Sequence, residues 1–281
     1  EKTFRNTLYD QYKAHRPPPP EDLIPQFPLV REATAAFGVH CVELPGYEAD
    51  DLIATYACKA RDAGGEAVIV SSDKDLMQLV GDGVEMLDPI KGKAIGPEEV
   101  REKFGVGPDR VVDIQALAGD AIDNVPGAPG IGIKTAAQLI EEYGDLETLL
   151  ERASEIKQPK RRQTLIDHAE QIRISKRLVQ LDCDTPLEFG LETLEVKAPD
   201  PEALVEFLTR MEFRTLTNRV AERFGAAAAA RTATAAKAAV WPEWIRRDFA
   251  LETGADESRR RIRRRLREHR RERRGRGRCG A

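Results

Sequence analysis

The stretch that constrains the fold most is residues 49–70, where an amphipathic helix is followed by a short apolar strand. Residues 49–61 place apolar side chains on one face, at the spacing of a half-buried helix. The pair Gly64 and Gly65 predicts the end of that helix. The run "AVIV" at 67–70 then has the composition of a buried strand. A helix that feeds directly into a buried strand indicates an α/β layer.

The rest of the chain divides by its pattern into four regions. Residues 1–95 continue the α/β rhythm, with "VEML" as another strand and "KGK" as a turn, and favour parallel strands. Residues 96–225 carry only helical apolar faces, several of them bounded by Pro or Gly. An Ala-rich linker at 226–240 and an Arg-rich tail at 241–281 follow. We therefore expect an α/β domain followed by an all-helical domain.

The net charge of −4 hides a strong asymmetry along the 281 residues. Residues 231–281 contain 17 Lys and Arg against 7 Asp and Glu, whereas the first 230 residues contain 27 against 41. An acidic body argues against a protein that binds DNA only by coating its phosphates. It is compatible with an enzyme whose acids surround cations. The basic tail has two interpretations, a flexible phosphate-binding arm or a solvated segment without that role.

The four cysteines show neither the spacing of metal ligands nor that of a redox pair. We therefore expect a reducing, cytoplasmic setting. The apolar runs are too short to cross a bilayer. No membrane partner is expected, and no obligate protein partner is predicted.

Two groups of carboxylates flank the helix and strand described above. Glu48, Asp50 and Asp51 lie at the helix start, and Asp73 and Asp75 follow the strand. In a parallel α/β layer both positions lie at one edge of the sheet, so the two groups should converge. Oxygen ligands without His or Cys indicate Mg²⁺ or Mn²⁺. The alternative is that the first group suits the helix dipole and that "DKD" is a solvated turn.

A third acidic pair, Asp120 and Asp123, follows an apolar helix. It would reach the same cluster if the helical part folds back over the sheet. The sequence leaves open that these residues are helix caps or form an Asx-turn.

A glycine-rich loop leads directly into a predicted helix that starts near Lys134. Gly130 and Gly132 would let a phosphate approach the backbone N–H groups of that helix, and Lys134 and Thr135 would add contacts. This pattern is typical of a helix–hairpin–helix, which holds a nucleic-acid backbone without reading bases. An ordinary turn between helices is the alternative. The spacing of a nucleotide-binding P-loop is absent from this segment.

The order of motifs closely resembles the 5′-nuclease domain at the front of bacterial DNA polymerase I, within the flap endonuclease family. The resemblance covers about residues 1–225, and its motifs are "YKAHRPP", "GYEADDLIATYA", "SSDKDLMQLV", "LAGDAIDNVPGAPGIGIKTA" and "LTRMEFRTLTNR". It implies a PIN-like α/β domain with a helical arch, followed by a helical domain that contains the helix–hairpin–helix. It also implies DNA with a 5′ flap or junction as substrate, a role in replication and repair, and a bacterial, nucleoid-associated location.

The resemblance also implies roles for individual residues. All seven acids named above would be direct or water-mediated ligands of two divalent ions. Tyr12 would stack at the arch base, and Lys13 and Arg16 would contact the scissile phosphate. The loop with Gly130 and Gly132 would grip the duplex backbone and can include a monovalent cation such as K⁺.

The sequence departs from the family pattern at its front. The family carries two further metal-binding aspartates, which we expect upstream of Glu1. A catalytically dead DNA-binding fragment is therefore the alternative to an active nuclease. A toxin-like RNase of the same α/β family is a third hypothesis, which the helix–hairpin–helix pattern argues against.

Overall fold

The computed structural model describes residues 2–224 and divides them into two compact units. The first unit comprises residues 2–17 and 43–188, and the second comprises residues 18–42 and 189–224. The expected division of the chain at residue 95 stays a prediction. The predicted Ala-rich linker and Arg-rich tail lie outside the described residues.

Within residues 2–224 the chain forms α-helices and one small sheet. The helices are α1 (Phe4–Leu8), α2 (Gln26–Ala36), α3 (Ala49–Asp62), α4 (Pro97–Phe104), α5 (Val111–Ala118), α6 (Ile133–Tyr143), α7 (Leu146–Glu151), α8 (Pro159–Asp167), α9 (Ala169–Val179), α10 (Pro201–Arg210) and α11 (Arg214–Phe224). The strands are β1 (Ala67–Val70), β2 (Val84–Asp88) and β3 (Lys93–Ile95). Helices α2, α10 and α11 belong to the second unit, and all other helices and the sheet belong to the first. In the part of the chain that is described, no helix is long and apolar enough to cross a membrane.

Helix α3 confirms the predicted amphipathic helix and ends one residue later than expected. Its first turn is closed by a hydrogen bond in which the backbone N–H of Glu48 donates to Oδ2 of Asp51 at 3.1 Å. Buried side chains such as Ala54 and Ala57 follow on the face that packs into the core. Gly64, with φ of 75°, lies just beyond the helix end, in the left-handed region that Gly adopts readily.

The sheet has the strand order β1–β2–β3. Strand β1 pairs parallel to β2, as predicted, with Ala67 opposite Val84, whereas β3 pairs antiparallel to β2. The pattern "HCVELPG" at 40–46 favours a short strand and turn, but the structure forms no strand there. Among the described residues, the second edge of β1 has no partner strand, and Val68 and Val70 are exposed there.

The helical part confirms the pattern predicted from its apolar faces, with one difference. The segment at 160–181 reads as one long helical stretch, whereas the structure breaks it into α8 and α9 at His168. His168 is both the C-cap of α8 and the N-cap of α9, with φ of −113° and ψ of 14°. Its ring Nδ1 lies 2.9 Å from the carbonyl oxygen of Thr164 in the preceding turn. The break turns the chain so that α9 packs along α5.

The main hydrophobic core of the first unit joins the sheet to the helices. It extends from Ala54 on α3 through Met86 on β2 to Phe104, Ile114 and Leu139 on the helices, and these side chains are almost fully buried. The α/β and helical parts of this unit therefore share their core. We expect them to unfold together for that reason.

The cysteines differ from the expectation of a fully reduced set. Cys58 on α3 forms a disulfide with Cys183, which lies 125 residues further along the chain. Such a pair gives no local spacing signal, so the sequence alone did not indicate it. Cys41 is free and exposed.

Replacing Phe104 by Ala should test the shared core. Phe104 is fully buried, so we expect the free energy of unfolding to fall by about 3–5 kcal/mol. Ile90→Ala is the control, because Ile90 is 83% exposed and should change that free energy by less than about 0.5 kcal/mol. Urea unfolding followed by circular dichroism measures both. Equal effects, or two separate transitions in the first unit, would contradict a shared core.

Candidate active site

A small cavity opens in the first unit and is lined by carboxylates from three separate segments. The acidic residues that line it are Glu48, Asp50, Asp75, Asp120 and Asp123. Five of the seven carboxylates singled out from the sequence therefore meet in one place.

The secondary structure explains why these carboxylates converge. The first two lie at the N-terminal end of α3, and Asp75 lies just beyond the C-terminal end of β1. These positions meet at one edge of the sheet, where α/β folds place their functional crevice. The last two follow α5 in a loop closed by reciprocal backbone hydrogen bonds between Asp120 and Val125, of 2.9 and 2.7 Å. The helical part thus folds back over the sheet edge, as predicted.

Burial and the crowding of negative charge together raise the pKa of two acids in the cavity. Burial, together with the charges of Asp73 and Glu48, raises the pKa of Asp50 to about 6. Burial also raises the pKa of Asp75, and the charge of Asp73 adds to this effect. A hydrogen bond from the Gln115 side chain to Asp75 acts in the opposite direction. Such shifts are expected where carboxylates lie close together without a full set of counter-charges.

Basic side chains neutralise part of this charge. Nζ of Lys13 lies 2.7 Å from Oε2 of Glu48 and 3.5 Å from Oδ2 of Asp123. The guanidinium group of Arg16 donates a hydrogen bond to the other oxygen of Asp123. The two basic residues predicted from the sequence therefore lie at the acidic cavity.

Lys74 supplies a further positive charge, which the sequence analysis did not identify. Its ammonium group donates to Oδ2 of Asp120. Burial would raise the pKa of Asp120, but the hydrogen bond and charge of Lys74, together with the backbone N–H groups of Ile122 and Asp123, lower that pKa. The Lys74 ammonium group therefore occupies a position at which the Asp120 carboxylate can bind a cation.

Lys13 has an unusual backbone conformation. Its φ is 56°, in the left-handed region that few residues other than Gly adopt. The backbone N–H of Lys13 donates to the carbonyl oxygen of Asp123 at 3.0 Å, which holds the conformation in place. Strained residues of this kind cluster at functional sites.

Asp51 differs from the expectation that it lines the metal site. Its side chain is fully buried, and both of its oxygens accept hydrogen bonds from Arg5, at 2.6 and 2.7 Å. It does not line the cavity. Burial would raise the pKa of Asp51, but the hydrogen bonds and charge of Arg5, together with the backbone N–H groups of Asp182 and Glu48, lower it.

Tyr12 and Asp73 also differ from expectation in their placement. Only 4% of Tyr12 is exposed, and its hydroxyl lies 3.3 Å from a carboxylate oxygen of Glu48 and of Asp123. Because its ring packs into a hydrophobic cluster with Val125, it is not available to stack on a base in this conformation. Asp73 is exposed and does not line the cavity, although its charge acts on the acids that do.

The glycine-rich loop forms the predicted connection between α5 and α6. Gly130 has φ of 76°, Gly132 caps the start of α6, and open space surrounds both. Lys134 is exposed and Thr135 is half-buried in the first turn. The first backbone N–H groups of a helix have no partner within it. The surface is therefore open to an anion, as the sequence indicates.

Sequence reasoning missed two further residues of the site besides Lys74. Gln115 is a polar residue in the apolar run of α5, a signal that indicates a buried hydrogen bond. Arg5 lines the cavity and is 1% exposed. Nothing in its local sequence distinguishes it from a surface arginine.

The donor set of the cavity fits a hard divalent cation. All of its acidic groups offer oxygen, which Mg²⁺ and Mn²⁺ prefer, and ammonium and guanidinium groups already lie against three of them. Within residues 2–224 no three His, Cys, Asp or Glu side chains are placed as a ready-made metal group. The arrangement of two bound ions stays a prediction.

Two family models match consecutive parts of the chain. The model of the 5′-3′ exonuclease N-terminal resolvase-like domain matches residues 1–105. The model of the 5′-3′ exonuclease C-terminal SAM fold matches residues 106–202. Together they cover both parts that contribute to the acidic cavity.

Curated relatives agree with these models. The chain is 58% identical to DNA polymerase I of Rhizobium leguminosarum over 221 residues, which is 79% of this chain but 22% of that protein. It therefore spans less than a quarter of that relative. It is 38% identical to the 5′-3′ exonuclease of Aquifex aeolicus over 223 residues, which cover 79% of this chain and 76% of the relative.

Solved structures show the same fold. The T5 5′-exonuclease with bound zinc ions has a TM-score of 0.57 at 21% identity, covering 79% of this chain and 80% of that one. This likeness shows a PIN-like domain followed by a helical domain. The chain belongs to the 5′-3′ exonuclease family, whose members include the front part of bacterial DNA polymerase I.

Proposed function

We propose that this chain hydrolyses phosphodiester bonds in DNA as a structure-specific 5′-3′ exonuclease and flap endonuclease. The observation that carries the proposal is the cavity in which carboxylates from three segments lie beside Lys13 and Arg16. Membership of the exonuclease family supports it. The similarity to bacterial DNA polymerase I supports a role in replication and repair.

The cofactors that we propose are two divalent ions, Mg²⁺ or Mn²⁺, held by the five carboxylates of the cavity. When bound, such ions activate a water molecule for attack on phosphorus and stabilise the leaving oxygen. Asp73, at the rim, would contact them through water. Asp51 is not included among these ligands, because its oxygens are used by Arg5.

The basic residues have two roles in this proposal. Without a cation, Lys13 and Arg16 neutralise Glu48 and Asp123. Once cations neutralise those carboxylates, the same basic groups can turn to the phosphate and offset the charge that develops on it. The Tyr12 hydroxyl, which lies between Glu48 and Asp123, would orient both carboxylates.

The loop before α6 is proposed to hold the duplex away from the cleavage point. The start of α6 is exposed, and Gly130 and Gly132 add no side chain that would block a phosphate from its backbone N–H groups. Lys134 and Thr135 would contact the same backbone. Such contacts position DNA without reading its sequence. K⁺ at this loop is proposed from the family resemblance alone.

DNA with a 5′ flap or a junction is the proposed substrate. Support comes from the T5 flap endonuclease in a pseudo-enzyme–product complex with DNA and metal ions, which has a TM-score of 0.55 at 20% identity. We propose that the protein works in the bacterial cytoplasm at the nucleoid, where the substrate of a DNA polymerase I relative is found.

A DNA-binding fragment without catalysis is the second candidate function. The observation that favours it is that residues 2–224 hold no ready-made group of three metal-binding side chains. The two candidates differ in cleavage and share DNA binding, so one assay separates them.

Cleavage of a labelled 5′-flap duplex with Mg²⁺ tests the proposed function. Asp50→Asn should lower the cleavage rate at least about 100-fold, because even outer-shell partners of a metal site are worth 10–100-fold. Asp62→Asn is the matched control on α3, since that side chain is 68% exposed, and it should cleave at the parent rate. Equal rates for the parent and Asp50→Asn would contradict the site. A parent that binds the flap without cutting it would favour the second candidate.

Lys134→Ala should weaken duplex binding about equally for all sequences. Loss of one phosphate contact should reduce the slope of log affinity against log salt by about 0.9. Lys157→Ala removes an equally exposed lysine outside the loop and is the control. Fluorescence anisotropy with a labelled duplex across a salt series measures both slopes. If Lys134→Ala matches the control, the loop does not hold DNA.

A further inference from the structure

We infer that Arg5 and Asp51 form a buried lock that positions the start of α3, and that Asp51 does not bind the divalent ions. The inference rests on the proposed function only where it concerns those ions. The positioning of the start of α3 depends only on the contacts of the Arg5 and Asp51 side chains. Arg5 thereby becomes a positioning residue of the site.

The hydrogen bonds of Asp51 leave no oxygen lone pair for a metal. Oδ2 accepts from Nη1 of Arg5 at 2.6 Å and from the backbone N–H of Glu48 at 3.1 Å. Oδ1 accepts from Nη2 of Arg5 at 2.7 Å and from the backbone N–H of Asp182 at 3.0 Å. A carboxylate has about four acceptor sites, and all four are used here.

Helix geometry separates Asp51 from its acidic neighbour. Successive residues on an α-helix are rotated by about 100°, so two adjacent side chains cannot point to one place. Asp50 lines the cavity. Asp51 is 0% exposed and faces the interior, where Thr55 lies one turn later on the same face. That face is fixed by further hydrogen bonds from Thr55 to the carbonyl oxygen of Asp182 and from the Thr185 backbone to Thr55.

Arg5 connects the start of α3 to the end of α9. Its Nε donates to the carbonyl oxygen of Leu178 at 2.8 Å, and its Nη2 donates to that of Gln180 at 3.1 Å. These carbonyls belong to the C-terminal end of α9, which carries partial negative charge and lacks partners within the helix. The guanidinium group therefore neutralises the end of α9 and the carboxylate on α3 together.

The lock acts on the cavity through Glu48. The backbone N–H of Glu48 is held by Asp51, and its side chain reaches the cavity and pairs with Lys13. Recruiting Asp51 to a metal would leave the guanidinium group buried without its partner, which is strongly unfavourable. The lock therefore holds Glu48 and Asp50 in place while Asp51 stays out of the coordination sphere.

Thermal unfolding without metal tests the lock in the full chain. Arg5→Gln and Asp51→Asn each leave one buried charge unpaired, so each should lower the unfolding midpoint by about 10 °C. The double variant removes both charges, so its unfolding midpoint should fall by less than the sum of the two single shifts. Asp50→Asn removes a carboxylate from a repulsive cluster and should not lower the midpoint. If a single variant fails to fold, recovery of folding in the double variant supports the lock. A double variant no more stable than the worse single variant overturns it.

Mn²⁺ titration followed by electron paramagnetic resonance, well below these midpoints, tests the exclusion of Asp51. The double variant should bind as many Mn²⁺ ions as the parent, whereas Asp50→Asn should bind at least about tenfold more weakly. Arg5→Lys keeps the charge and should bind Mn²⁺ as the parent does. If Asp51→Asn and the double variant lose Mn²⁺ while Arg5→Gln keeps it, Asp51 is a ligand and the inference is wrong. If the parent binds no Mn²⁺, the proposed function fails. The unfolding midpoints of the single and double variants still test whether Arg5 and Asp51 form the lock.

Discussion

The buried pair of Arg5 and Asp51 is the contact on which the geometry of the acidic cavity depends. A planar guanidinium group forms a two-point hydrogen-bonded contact with a carboxylate. Here the guanidinium group also donates hydrogen bonds to carbonyl oxygens at the C-terminal end of α9. Helices α1, α3 and α9 thereby meet at one point, although they are distant in sequence. A buried contact thus holds the carboxylates at the start of α3 in position, and solvent-exposed contacts are not needed for this.

Charge balance then determines how the cavity behaves. Five carboxylates share the cavity, and Lys13, Arg16 and Lys74 offset only part of their charge. Burial raises the pKa of Asp50 to about 6, and the charges of Asp73 and Glu48 add to this effect. A divalent cation would relieve this repulsion and release the basic groups. The same distribution of charge would therefore explain both the proposed cation binding and the presence of basic side chains at an acidic site.

Much of this arrangement is predictable from local patterns in the sequence. Periodicity predicts α3 and β1, and the geometry of parallel strands predicts that the acids after β1 and before α3 converge. The sequence could not show that Asp50 faces the cavity and Asp51 does not. That difference depends on the contact of Asp51 with Arg5, which is 46 residues away in the chain. The buried ring of Tyr12 and the pairing of Cys58 with Cys183 likewise depend on distant segments. Contacts of this kind leave no local pattern.

The central claim is the proposal that the cavity binds divalent cations through its five carboxylates while Asp51 stays bound to Arg5. Anomalous X-ray diffraction from crystals of this chain grown with Mn²⁺ tests it most directly. The account predicts anomalous peaks within about 2.5 Å of oxygens of the cavity carboxylates, with the Arg5–Asp51 hydrogen bonds unchanged. Peaks bound to Asp51, or no peak in the cavity at saturating Mn²⁺, would contradict it.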